Sequence, residues 1–328
     1  MGCFADRDYV HAKVYALHGY LLSEKDYTEM LGTGNVQRAA PGIPPGMLHD
    51  DFLKAKEYVF RQQIHVVIDL HGASRFYQEL FLSFLRYYEI RNLKLALTSA
   101  AGQDIHIRQW YDISPHQSLE REVMNQEITM EVMRKLTRTS YLASIVSSRD
   151  DLSPADALID ADRFLLRYIF LVPGRIPSML RGDIVTICAG VAAYIRITWR
   201  ERLKRHYGMH DEACRKYMKK FLDPDGGFGI AEEQVKKWEK IMDRILERSM
   251  TASEGQAGSD LSRFERELEH VLWSRVWNLF YRRYHSVNPV ICYLILLYFQ
   301  IRNIFAVMEG IRFSYPRDEL RRRIICGV

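Results

Sequence analysis

Tyr88-Glu89-Ile90-Arg91-Asn92-Leu93 comes back, class for class, as Phe299-Gln300-Ile301-Arg302-Asn303-Ile304, 211 residues further along the chain. Each block closes a long apolar stretch with helical spacing, so the pair predicts two like helices ending in a polar signature. A weaker copy reads Asp183-Ile184-Val185-Thr186-Ile187 between them. A second element also recurs. Leu22, Tyr27 and Leu31 correspond to Leu136, Tyr141 and Ile145, each offset by 114. A lone six-residue match would mean only that Ile-Arg-Asn occurs twice on helices. Two elements that return in the same order in successive thirds of the chain indicate an internal repeat.

Working outward from these blocks, helical periodicity dominates. Residues 9–31 carry Val10, Val14, Leu17, Leu21 and Leu22 at spacings of three and four, the stripe of an amphipathic helix. Residues 34–50 hold three prolines and three glycines and predict a loop. Helical patterns follow over 50–63, 76–97, 120–145, 153–170, 183–207, 231–248, 261–284 and 288–311. The 153–170 pattern opens with Ser153-Pro154, a cap residue followed by proline at the first helical position. Only residues 65–70 read as a strand, too little for a sheet, so the expected fold class is all-α. Breaks at 101–103 and 223–229 cut the chain into three similar lengths, predicting helical units over 1–110, 111–225 and 226–328. A further break falls at 251–260.

Composition narrows the function classes. The 328 residues are 48% hydrophobic and 27% charged, an ordinary globular balance. The net charge of +5 suits an acidic partner or a membrane surface but is small for a nucleic-acid binder. Five widely spaced cysteines argue against both a disulfide framework and a zinc site. Asp6, Arg7 and Asp8 interrupt any early apolar run, so no secretory signal is expected. The apolar run at 289–299 falls short of the roughly 20 residues a bilayer requires and is expected to be a buried helix.

No catalytic constellation emerges. His206 and His210 would share a helix face, yet no third ligand stands at a suitable spacing, and two exposed histidines are the better reading. The glycine-rich stretches 31–35 and 225–229 lack both the Lys-Ser/Thr pair and the strand–loop–helix setting of a phosphate cradle. No Gly-x-Ser-x-Gly elbow occurs, and no cysteine has an obvious histidine partner. Asp150-Asp151 and Asp160-Asp162 sit near expected helix starts, where acidic side chains complement the helix dipole. One charge cluster stands out: residues 196–220 hold nine Lys or Arg against three acids. Arg196, Arg200, Lys204 and Arg205 belong to it, and Arg321 and Arg322 form a second basic group near the C-terminus. Such runs are most often solvated faces, and otherwise contact surfaces for phosphates, lipid headgroups or acidic proteins. An α-helical scaffold that binds nucleic acid through residues 196–220 is the alternative, with only Trp199, Tyr207 and Tyr217 available for base stacking.

The collected residues resemble the C-subunit family of V-type and A-type rotary ATPases, known in eukaryotes as the d-subunit. Its recurring signature is an acidic residue, an aliphatic, any residue, Asn and an aliphatic on a long helix. Glu89-Ile90-Arg91-Asn92-Leu93 fits the first copy, and Gln300-Ile301-Arg302-Asn303-Ile304 the third, with Gly310 at the family's glycine position. The middle copy departs from it, with Thr186 in place of Asn. The tail 316–323 looks like the family's terminal proline, acidic pair and basic run. The resemblance implies three related helical units around a pseudo-threefold axis, forming a funnel-like socket. It also implies a non-catalytic piece on the cytoplasmic face of the membrane, without cofactor, small-molecule substrate or nucleic acid. Such a protein receives the central shaft, rests on the proteolipid ring and passes torque for proton or sodium transport. Glu89, Arg91, Asn92, Gln300, Arg302 and Asn303 would tie the units together or meet the shaft. The basic residues would lie near lipid headgroups or acidic partner surfaces.

Overall fold

The computed structural model of the protein describes residues 2–44, 46–100, 110–119, 129–146, 157–158, 160–162, 164–165, 176, 183–205, 208–215, 232–251, 261–282 and 285–326. Every regular element among these residues is a helix, so the fold is all-α. Residues 206–207, 216–231 and 252–260, which include His206 and the glycine-rich breaks, lie outside them, as do Asp150-Asp151 and Ser153-Pro154. The chain divides into two compact units: Met1–Val10, Asp26–Leu165 and Ile304–Leu320 in one, and His11–Lys25, Leu166–Asn303 and Arg321–Val328 in the other.

The opening stripe, expected as one helix, is two: α1 (Gly2–His18) and α2 (Glu24–Thr33). After His18 the bonding tightens to the third residue back, with Tyr20 N on Leu17 O at 3.0 Å and Leu21 N on His18 O at 3.2 Å. That contraction ends the helix and leaves Leu22 N without an acceptor in its own helix. After the short helix α3 (Met47–Asp50), α4 runs from Phe52 to Ala73, opened by Asp51, whose side chain accepts from Lys54 N at 3.1 Å. The strand expected at 65–70 does not form. Phe60, Ile64, Val67 and Leu70 are buried along α4, a spacing of three and four that places them on one helical face. Burial on that face outweighs the weak strand preference of its β-branched residues.

The first unit packs α4 against α5 (Gln78–Ala100). Phe60, Tyr88 and Tyr111 form its aromatic centre, with ring centroids 4.9–5.2 Å apart. The stretch expected as one helix over 120–145 is interrupted. Within it stand α6 (Met130–Thr137) and α7 (Ala143–Val146), separated by a turn in which Ser140 Oγ donates to Thr137 O at 2.9 Å.

In the second unit α8 (Ile184–Arg205), α9 (Glu232–Thr251) and α10 (Leu261–Phe280) pack on one another. Gly190 allows the close approach of α8 and α9, because a Cβ there would stand 3.0 Å from two ring carbons of Trp238. The last long helix, α11 (Asn288–Phe313), contributes residues to both units and is followed by α12 (Arg317–Arg323). By length and apolar character α11 could cross a membrane, but 72% of its most apolar window is buried inside the protein. It is a core helix. Two of the signature residues, Gln300 and Asn303, are buried along it.

Gly310 is fixed by the same packing. A Cβ at that position would lie 2.9 Å from Leu320 Cγ and nearer still to both methyl groups, and Leu320 is only 2% exposed. Gly310→Ala should therefore cost about 1–3 kcal/mol, the usual penalty of overpacking a filled core. Urea unfolding would measure it. The penalty should shrink in a Leu320→Ala background, because the two changes act on one contact.

Candidate functional site

The signature asparagines make the same pair of bonds. Asn92 Nδ2 donates to Tyr111 O at 2.7 Å, and its Oδ1 accepts from Tyr111 N at 2.9 Å. Asn303 Nδ2 donates to Ile325 O at 2.8 Å, and its Oδ1 accepts from Ile325 N at 2.9 Å. Each amide thus reproduces one rung of a β-ladder from the side of a helix. The partner lies 19 residues downstream in the first case and 22 in the second. Asn92 and Asn303 are 0% and 3% exposed, so no water competes for the backbone groups they hold. Both residues lie well inside their helices rather than at the ends, where the sequence pattern puts them. The long apolar stretches continue past the signature by a further two turns.

The acid position of the signature also has one task in both copies. Glu89, fully buried, accepts from Ser118 N, from Leu119 N at 3.3 Å and from Tyr141 Oη at 2.6 Å. Gln300 Oε1 accepts from Leu22 N at 2.7 Å, the donor that the break after α1 exposes. Tyr141 and Leu22 are members of the second recurring element. The first signature therefore holds the second copy of that element, and the third signature holds its first copy. Neutral donors surround Glu89 among these contacts, which satisfies a buried carboxylate without an ion pair.

The arginines play different parts. Arg91 Nη1 donates to Tyr87 Oη at 3.2 Å, and its guanidinium lies 5.2 Å from the ring centre of Tyr111, the residue that Asn92 holds. Arg302 pairs with Glu269, whose Oε1 also accepts from Tyr194 Oη at 2.7 Å. Burial works against the Arg302 charge, yet Tyr298 and Glu269 outweigh it and hold the pKa above the usual arginine value. Burial, reinforced by Glu269, keeps Tyr194 protonated far above the normal phenol range, so it remains a donor.

The Thr186 stretch does not stand at the depth of the other two signatures. Thr186 lies in the first turn of α8, whereas Asn92 and Asn303 lie deep in α5 and α11. The segment of α8 at the corresponding depth is Tyr194-Ile195-Arg196-Ile197. Its Ile-Arg pair follows Ile90-Arg91 by 105 residues and precedes Ile301-Arg302 by 106. That near-equal spacing was readable, but Tyr in place of the acid and Ile197 in place of Asn hide the match. Tyr111, Ile325 and Glu269, the partners of the signature, carry no sequence signal of their own.

The basic run on α8 is largely neutralised inside its unit. Arg196 pairs with Glu239 at 3.0 Å, Arg200 with Asp243 at 2.5 Å and Arg202 with Glu265 at 2.9 Å. Lys204 reaches Asp211 at 2.6 Å, and Arg205 reaches Glu201 at 3.4 Å. Arg321 and Arg322 are exposed on α12, where the Arg322 carbonyl accepts from Arg266. Among the described residues no cluster of three or more His, Cys, Asp or Glu is arranged to hold a metal ion.

A family model described as ATP synthase (C/AC39) subunit matches residues 69–323 of the chain. No curated protein matches it. The matched range contains Asn92, Asn303 and the Ile-Arg pairs at 90, 195 and 301, and it excludes Leu22 and Ile325.

Asn92→Ala and Asn303→Ala should each lower stability by about 2–4 kcal/mol, because each strands a buried N–H and a buried carbonyl. Chemical denaturation would measure the loss. Arg302→Ala should destabilise more than Arg91→Ala, since it leaves the buried Glu269 carboxylate without its cation.

Proposed function

The chain belongs to the ATP synthase (C/AC39) subunit family, and from that premise we propose that it is a non-catalytic central-stalk component of a V-type or A-type rotary ATPase. In this reading it joins the central shaft of the soluble head to the membrane proteolipid ring and passes torque between them. It works as a peripheral protein on the cytoplasmic face. Its repeats surround a pseudo-threefold axis as a funnel-like socket for the shaft. The family match carries the proposal. The bonding pattern supports it, because a part that transmits torque must not shear internally. The repeats of this chain are tied by buried side-chain-to-backbone pairs that break only at full desolvation cost. Linking the third signature to Leu22 and the first to Tyr141 is the connectivity expected of repeats that close on themselves.

Exposed charge has a minor place in this role. Arg321 and Arg322 are candidates for attraction to acidic partner surfaces or lipid headgroups, acting over about 8 Å at physiological salt and so guiding assembly more than holding it. The nucleic-acid reading gains no support, because Arg196, Arg200, Arg202, Lys204 and Arg205 are set against carboxylates of their own unit, which use part of each donor set and leave no continuous cationic face along α8 for a polymer.

The test is deletion of the chain from cells, followed by parallel assays of ATP hydrolysis and ion pumping. The catalytic head should still hydrolyse ATP while pumping stops, and adding back the wild-type chain should restore pumping. Membranes that lack the chain but still pump ions in proportion to the ATP consumed would rule out the coupling role.

A further inference from the structure

A cleft of about 320 Å³ opens against the C-terminal half of α8. Arg196, Ile197, Arg200 and Lys204 form its wall, and Cys214 and Arg215 close it from the stretch that follows α8. Its position in the repeat is informative. By the spacing of the Ile-Arg pairs, Ile197 corresponds to Asn92 and Asn303. There the asparagine holds a backbone segment, and here the hydrocarbon side chain of Ile197 offers neither donor nor acceptor. The middle copy has lost the clamp, and cations surround the space beside it.

The donors of that wall are only partly used. Four cations line the cleft against two acids, Asp211 and Glu239. Arg196 gives Nε to Glu239 at 3.0 Å, and Arg200 gives Nη2 to Asp243 at 2.5 Å. Arg200 Nε is buried without a hydrogen bond, 3.5 Å from Glu201 Oε1. Arg215 spends Nε on the Asp211 carbonyl at 3.4 Å. Lys204 is held by Asp211, whose side chain is 67% exposed, so solvent screens that pair and a better acceptor can replace it. Burial opposes the Arg200 charge, but Asp243 and its other acidic neighbours keep it protonated.

We propose that this cleft binds a phosphate monoester, with Arg200, Arg215 and Lys204 as its principal donors. A tetrahedral dianion presents enough acceptor oxygens to satisfy two guanidinium groups and an ammonium at once. The cleft lies at the lower end of the size range of small-molecule sites, which suits a compact phosphorylated group rather than a polymer. The same chemistry is found in soluble sugar phosphates and in phosphorylated inositol headgroups. The proposal is independent of the coupling role and stands or falls separately from it.

The full-length protein should be titrated calorimetrically with inositol hexakisphosphate. In parallel it should be floated with phosphatidylcholine vesicles with and without phosphatidylinositol bisphosphate. Saturable binding in the soluble arm alone identifies a free phosphate ligand, and recruitment to the doped vesicles identifies a headgroup. Loss of one charge-assisted bond should weaken binding roughly tenfold or more in Arg200→Gln and in Arg215→Gln. Arg215 is exposed, so the second variant will fold even if Arg200→Gln disturbs the Asp243 pair. The double variant Arg321→Gln, Arg322→Gln should bind like the wild type. Absence of saturable binding in both arms would overturn the proposal. So would an equal loss in the α12 double variant, which would mark the affinity as general electrostatic attraction.

Discussion

A side-chain amide that takes both the N–H and the carbonyl of one backbone residue is the interaction on which this fold depends. Buried non-helical segments of a helical protein have no ladder to satisfy them, and leaving them unpaired is costly. Asn92 and Asn303 supply the missing rung from within a helix, so Tyr111 and Ile325 can sit in the interior. Glutamine would place the amide one methylene too far out, and aspartate would set an oxygen against the carbonyl. The requirement therefore falls on one residue type at one depth of each helix. The neighbours are committed by that geometry, with Glu89 three residues before holding the next turn of chain and Arg91 covering Tyr111.

The second constraint is how the apolar helices carry charge. α11 is apolar enough to resemble a membrane span, yet it presents Gln300, Arg302 and Asn303 within about one turn. Each finds a partner within the protein: Leu22 N, Glu269 and Ile325. The pairing of half-buried Arg302 with the buried Glu269 carboxylate is costly to break singly, because the carboxylate would be left uncompensated. Such groups specify which surfaces meet, whereas hydrophobic burial alone would tolerate sliding. α8 treats its cations in the same way, setting them against carboxylates of α9 and α10.

These features bear on the coupling role proposed for the chain. Torque is passed without loss only if the transmitting part has few low-energy internal motions. Buried side-chain-to-backbone pairs meet that need better than surface ion pairs, which open and close at little cost. α8 differs from α5 and α11, since by the spacing of the Ile-Arg pairs it has Tyr194 and Ile197 where they have an acid or amide and an asparagine. The helix without the clamp is the one with a cationic cleft beside it.

Much of the fold was legible in the chain alone. Helical periodicity gave the all-α class and most long helices, because amphipathic spacing is a local property. The return of Ile-Arg-Asn at Asn92 and Asn303 marked the positions that matter, because identical geometry demands identical residues. Tertiary structure decided the remainder. It turned the strand-like residues 65–70 into helix by burying one face of α4, and it split the opening stripe at Gly19 so that Leu22 could reach Gln300. It set Thr186 in the first turn of α8, whereas Asn92 and Asn303 lie deep in α5 and α11, because depth within a helix is fixed by where the helix starts and not by similarity of residues. Above all it supplied the partners. Tyr111, Ile325 and Glu269 are chosen by where their backbone or carboxylate falls in space, and a backbone group has no residue type by which a sequence could announce it.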